Sequence, residues 1–237
     1  METPAAIAKA ESPKLEARIA GALWLVAILA GLFAELFVRS RLIVRGDAAA
    51  TAAHIAAAYL AVSLLLYRLM RPAGRTLSLL AAGFGLAGSA VLAADLVCAY
   101  APLILLGLGT ANGNMGLQQA DVLAMAFVRL HGLGYAISLA FFAVQVGLLG
   151  RLVLRSTFLP RILGMLLAIE AVCNLVHCFG IFLGAGFIAS IDSWLLLPGL
   201  FGEGGMTLWL LLVGVDAAKW AERGRRDSII DPGPGPG

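Results

Sequence analysis

The sequence predicts an all-α protein, a polytopic transmembrane helix bundle of six spans with both termini on the cytoplasmic side. Three observations predict it. The chain has 237 residues, 61% hydrophobic and only 13% charged, about half the ~25% charge of a soluble domain. Its mean hydropathy is +0.93. Apolar runs long enough to cross a bilayer recur along it, leaving no segment in which a soluble domain would fit. The positive charge, finally, is concentrated in alternate links between those runs.

The elements follow in order. Residues 1–17 are polar and Ala-rich, with Pro4, Pro13, Lys9 and Lys14, and read as a mobile tail or a short surface helix. Arg18 leads into IAGALWLVAILAGLFAELF, which resembles a signal-peptide core. No A-x-A cleavage site follows, so the run reads as an uncleaved first span over about 19–38. Arg39, Arg41, Arg45 and Asp47 make the next polar link. AAATAAHIAAAYLAVSLLLY, about 48–67, is an Ala-rich second span, closed by Arg68, Arg71, Pro72 and Arg75.

The third run, about 76–108, exceeds what a bilayer needs, and Pro102 is placed to kink or end its last turns. Asn112, Gly113, Asn114 and Gly116 read as a turn before a fourth span over about 121–150. Arg151, Arg155, Pro160 and Arg161 form a basic link. The fifth span, about 162–189, is followed by a turn at Ser190, Asp192 and Ser193, and the sixth covers about 194–215. The bundle is thus expected over 18–218. Residues 219–237 are expected to be a basic, then Pro/Gly-rich disordered tail.

Six spans put both ends on one side, and the charges choose the side. Lys9, Lys14 and Arg18, then Arg68, Arg71 and Arg75, then Arg151, Arg155 and Arg161, then Lys219, Arg223, Arg225 and Arg226 would all be cytoplasmic. They are thirteen of the seventeen basic residues. No basic, aromatic-interleaved patch points to nucleic acid. Cys98, Cys173 and Cys178 are odd in number and lack C-x-x-C spacing, which reads as inert apolar thiols. The bilayer is the expected partner, and no motif calls for a cofactor.

The polar residues inside the apolar runs are the candidates for function. Arg129 and His131 lie well inside the fourth, where a lone cation is costly, so Arg129 needs an acidic partner or a wet site. Glu35, Asp95 and Glu203 can supply it. At a rise of ~1.5 Å per residue, these groups, with His54 and His177, favour the outer half of the membrane. The shared depth reads either as a polar cavity open to the outside, holding a small-molecule ligand or a proton, or as an ion-paired network that locks the bundle.

Glu170, Asn174 and His177 recur at i, i+4 and i+7 and line one face of the fifth span. They read as a proton path or as interhelical hydrogen bonds. Gln145 reads as the latter. Glu203 sits in PGLFGEGG, residues 198–205, which resembles either a broken transport helix or a stripe of close packing. Gly85, Gly88, Gly180 and Gly184 read as helix-contact positions. His54, His131 and His177 have no H-E-x-x-H or other zinc spacing, and no G-x-S-x-G selects a nucleophile, so no metal and no catalytic residue is assigned.

ELFVRSRLIVRGDAAATAAHI (35–55), LLLYRLMRP (64–72), VRLHGLGYAISLAFFAVQVGLLGRLVLRSTFLPRILG (128–164) and LLLPGLFGEGGMTLWLL (195–211) resemble a bacterial six-span family, the domain of unknown function DUF4386. The resemblance implies a multi-pass protein of the bacterial cytoplasmic membrane. It brings no activity and no catalytic residues. Against that pattern the stretch between DAAATAAHI and LLLYRLMRP is short, so the second span is expected to be built from Ala-rich sequence and to be short or tilted.

Three functions follow as expectations. The first is binding or movement of a small solute or proton through the outer polar cavity. The second is a lipid-modifying enzyme with His131, His177 and a carboxylate around a metal or water. The third is a non-catalytic assembly protein.

Overall fold

A computed structural model describes residues 4–33, 48–111 and 116–230. Glu35, the 39–47 link, the 112–115 turn and the terminal DPGPGPG lie outside the described residues. The described chain forms seven α-helices: α1 (Pro4–Phe33), α2 (Ala48–Met70), α3 (Arg75–Ala111), α4 (Leu117–Arg155), α5 (Arg161–Phe182), α6 (Ile188–Leu212) and α7 (Ala217–Ile230). Each of α1 to α5 packs on the next, and α6 returns to α1, which closes a ring of six helices. Four helical segments, 75–102, 117–155, 161–182 and 193–212, are long and apolar enough to cross a membrane among the described residues.

The first six helices fall on the six predicted apolar runs. The differences are at their ends. Of the 1–17 segment, the residues from Pro4 on are helical, the second of its two expected readings, and belong to α1, which runs through Pro13; Ala5, Ala6, Ala8 and Ala10 are strong helix formers. Pro102 neither ends nor breaks α3, which continues to Ala111; the backbone bond a proline forfeits inside a bundle is tolerated where neighbours re-satisfy it.

The turn between the fifth and sixth helices comes earlier than the Ser190–Ser193 expected. It is made by Gly184, at φ 63°. Ala185 N–H donates to Gly180 O at 2.9 Å and Gly184 N–H to Ile181 O at 3.0 Å. That pair of bonds is the Schellman arrangement, which needs a left-handed residue after the helix end. Gly184 is therefore a cap, not the helix contact expected of it, whereas a side chain at Gly180 would strike Ile188.

The basic stretch after α6 is also ordered. Asp216 caps α7, accepting from Lys219 N–H at 3.2 Å. Trp220 Nε1 donates to Leu69 O at 2.8 Å, one of the last carbonyls of α2, which have no partner within their own helix. This bond ties α7 across the end of the bundle.

The tightest packing lies at that same basic end. Leu66, Leu69, Met70, Leu149, Leu152, Leu167, Met206 and Leu210 are almost wholly buried there. Gly150 and Gly164 bring α4 and α5 so close that a Cβ on either would lie under 3 Å from the other's carbonyl. Elsewhere large apolar side chains such as Val97, Val172, Leu183 and Trp194 face outward. In water such a surface would aggregate; in a bilayer it meets lipid.

Candidate functional site

Two polar seams run between the helices, each built around a carboxyl group set against a glycine. The first joins α5 and α6. Glu170 is 2% exposed. Its Oε2 accepts the Glu203 backbone N–H at 3.0 Å. A side chain at Gly202 would collide with that same oxygen, and one at Gly199 would touch Oε1 at 3.4 Å. The glycines of PGLFGEGG thus form the concave surface on which Glu170 rests.

The Glu203 side chain is half-buried and accepts a hydrogen bond from Trp24 of α1. Glu170 is the tenth of the 22 residues of α5, and Glu203 the eleventh of the twenty in 193–212. Both residues therefore lie near the middle of their helices, within the middle-to-outer range expected of Glu203.

Asn174 and His177 follow Glu170 on the same face of α5, and both are buried. That is the expected stripe. Thr207, one turn beyond Glu203, is fully buried, with a hydroxyl that has no hydrogen-bond partner among the described residues.

The second seam joins α3 and α4. Asp95 Oδ2 and His131 Nδ1 are 2.6 Å apart. The aspartate side chain is 4% exposed and the histidine 32%. A side chain at Gly134 would collide with Asp95 Oδ1. Further along, Ser138 Oγ donates to Gly88 O at 3.0 Å and Gln145 Nε2 to Ser63 Oγ at 3.2 Å. A side chain at Gly85 would fall on that last bond. Gln145 is interhelical glue, as expected.

Arg129 departs from expectation. It is exposed, and no acidic group pairs with it among the described residues; Asp95 is bonded to His131 and Glu203 faces α1 and α5. The reason is the length of α4. Its 39 residues span about 58 Å, nearly twice the ~30 Å hydrocarbon core. Counting about 20 residues back from the basic link at Arg151 places the far edge of that core near His131. Arg129 then stands at the headgroup level, where an arginine needs no buried partner. Its expected pairing with Glu35 falls outside the described residues. His54 lies in α2, and its side chain likewise falls outside them.

Among the described residues no three His, Cys, Asp or Glu side chains gather as a metal site would require. The structure adds two residues that the sequence reading did not single out. One is Trp24. The other is Tyr59 of α2, whose ring lies 5.1 Å from that of Phe142.

No curated protein and no solved structure matches the chain. The model of one family matches in two segments, residues 19–59 and 53–214, which together cover most of it. With four helices of membrane-crossing length and that match, the chain is an integral membrane protein and belongs to the family described as Domain of unknown function (DUF4386).

Proposed function

We propose that this protein binds a proton or a small cation at the Glu170–Glu203 pair and moves it across the membrane. One observation carries the reading: two carboxyl groups share the centre of the bundle, the backbone N–H of one bonded to the oxygen of the other at 3.0 Å. Like charges side by side away from water are unfavourable, and no Arg or Lys pairs with either among the described residues. The neutralising charge must then come from something that binds there. Although α6 runs unbroken from Ile188 to Leu212, Gly199 and Gly202 open the surface on which the buried Glu170 carboxyl rests at mid-helix.

Six crossings with both termini cytoplasmic, in a bacterial cytoplasmic membrane, complete the reading. The basic links at 68–75 and 151–161 and the basic α7 are gathered at one end, as positive-inside topology requires. The second helix has 23 residues, enough for a crossing, and the two matched segments share residues 53–59 within it.

The lipid-modifying enzyme draws less support, since His131 is committed to Asp95. The assembly role draws on that same bond, which joins a carboxyl to a group able to carry the opposite charge. The test is flux in proteoliposomes with a trapped pH dye, under an imposed proton gradient with sodium or potassium outside. Glu170→Gln and Glu203→Gln are expected to abolish wild-type flux with helicity unchanged. Wild-type flux in both variants would overturn the reading.

A further inference from the structure

Three exposed arginines stand where α4 and α5 cross at the basic end of the bundle. Glycine sets that crossing. A Cβ on Gly150 would lie 2.9 Å from Gly164 O and 3.1 Å from Ala168 N, and one on Gly164 would meet Leu154 Cγ at 2.8 Å and its backbone N at 3.0 Å. The arginines are placed by these contacts. Arg151 shares a face of α4 with Leu154 and Arg155, at 3 and 4 residues. Arg161 shares a row of α5 with Gly164 and Ala168, at 3 and 7 residues. It therefore lies beside the last turn of α4, the turn that carries Arg155.

Below the arginines the outer surface is apolar. Leu154 is exposed between the two of α4, and Met165 and Ile169, at 4 and 8 residues from Arg161, are exposed on α5. The three charges are also left open. No carboxylate pairs with Arg151, Arg155 or Arg161 among the described residues. Elsewhere at the same end the basic groups are partnered: Arg68 by Glu16 at 2.9 Å, Arg226 by Glu222 at 2.7 Å and Lys219 by Asp216 at 3.2 Å. Asp216 meets the 151–161 link only through its backbone N–H, which donates to Phe158 O. Topology asks for basic links. It does not ask that three arginines gather at one helix crossing, above an apolar face, without a carboxylate.

We propose that Arg151, Arg155 and Arg161 hold the headgroup of an anionic phospholipid, whose acyl chains lie along the apolar face beneath them. The depth is right: α4 ends at Arg155 and α5 begins at Arg161, so both membrane-crossing segments reach the level of the lipid phosphates there. The chemistry is right too. A guanidinium offers a fork of donors that matches two phosphate oxygens, and basic clefts between spans are where anionic headgroups settle. A zwitterionic headgroup fits less well, because it brings a cation that three arginines repel. The bound lipid bridges the last turn of α4 and the first turn of α5 across the 156–160 link. The proposal does not depend on the reading of the Glu170–Glu203 pair.

Native mass spectrometry of the full chain in detergent, titrated with phosphatidylglycerol or with phosphatidylcholine of the same acyl chains, tests this. The wild type should prefer phosphatidylglycerol by roughly ten-fold or more, and Arg151→Gln, Arg155→Gln and Arg161→Gln should each weaken its binding by roughly five-fold. The three together should bind both lipids alike. Their phosphatidylcholine affinity should match the wild type, which shows that the fold is kept. A second triple variant, Arg18→Gln, Arg71→Gln and Arg223→Gln, removes the same charge from α1, the 71–73 turn and α7 and should keep the preference. Equal losses in the two triple variants would mean that net charge alone attracts the lipid, and overturn the site. A wild type that binds both lipids equally overturns it as well.

Discussion

The two seams use one device and reach different ends. In each, a carboxyl group lies against a glycine of the facing helix: Asp95 against Gly134, Glu170 against Gly202. At the α3/α4 seam the next polar group is a histidine, able to carry the opposite charge, 2.6 Å away. At the α5/α6 seam it is the backbone N–H of Glu203, whose own side chain is a second carboxyl. The first seam pairs a carboxyl with a group able to carry the opposite charge, and lies toward the rim. The second lies at the centre and is satisfied by N–H donors, the Glu203 backbone and Trp24, which supply hydrogen bonds but no full charge. A pair of one kind clasps helices. A pair of the other kind stays in need of a cation or a proton, and that need is the basis for reading function there.

The largest expected effect tests the shared device. Gly134→Val and Gly202→Val each push a side chain into a carboxyl oxygen, and overpacking of this kind costs about 1–3 kcal/mol. Denaturation by SDS titration from mixed micelles would measure it. The seams should separate in the double variants: removing the carboxyl with Glu170→Ala should restore much of the loss in Gly202→Val. If it restores nothing, Gly202 packs on Leu166 alone, whose carbonyl is its next neighbour at 3.2 Å.

The next test separates a clasp from a binding site. Asp95→Ala removes a hydrogen-bonded, charge-bearing partner and should cost about 1.5–3 kcal/mol. Glu203→Gln replaces one of two like carboxyls by a neutral group of the same shape. It keeps the backbone N–H that Glu170 accepts, so stability should stay within about 0.5 kcal/mol of wild type, or rise. Equal losses in the two variants would erase the distinction between the seams.

Much of this was legible in the sequence, and the misses have physical causes. Apolar run length and link charge placed six helices correctly, since both depend on composition over many residues. The Glu170–Asn174–His177 face was readable from its 4-and-3 spacing, and PGLFGEGG was readable as a stripe of small residues for close packing, which Gly202 and Gly199 provide against Glu170 within an unbroken α6. What sequence could not supply was rotation. Glu170 was ranked below Arg129 because nothing local shows that α5 turns its glutamate onto Gly202.

Arg129 is exposed and pairs with neither Asp95 nor Glu203, while its expected pairing with Glu35 lies outside the described residues; α4, at 39 residues, is far longer than a bilayer needs. Tyr59 was missed although a phenol in an Ala-rich helix, nine residues before the basic link that begins at Arg68, is a recognisable polar group. Its relevance depends on α4, which is distant in sequence. The helical α7 was missed because a run of basic residues before prolines resembles a tail, while its two anchors, Asp216 and Trp220, are single residues.

Asp216 offers a control carboxylate outside the membrane. The backbone N–H of Lys219 does most to hold it below the usual aspartate range, with burial opposing weakly and the Lys219 ammonium, 3.2 Å away, assisting. A carboxylate depressed on folding contributes stability that is full above its unfolded value and is lost as pH falls toward the folded one. Acid should therefore loosen α7 only as pH falls below the ordinary aspartate range. Asp216→Ala should cost about 1 kcal/mol, the worth of a cap, and make exchange of the 217–226 amides faster and insensitive to acid. Unchanged exchange would mean that Trp220 alone docks the helix.

The smallest effect calibrates the others. Gln145 and Ser63 form a polar contact between α4 and α2 with no charge on either side, at 3.2 Å. Interhelical bonds of this kind in membranes average about 0.6 kcal/mol in double-mutant cycles. A cycle of Gln145→Leu and Ser63→Ala should return a coupling of that size. It gives the value of a neutral seam bond in this bundle, against which the Asp95–His131 coupling must be larger for its charge to matter. If the two couplings are equal, the histidine is bonding as a neutral ring. The contrast between the seams would then rest on geometry, on which carboxyl faces another carboxyl, and no longer on a charge cancelled at one seam and left open at the other.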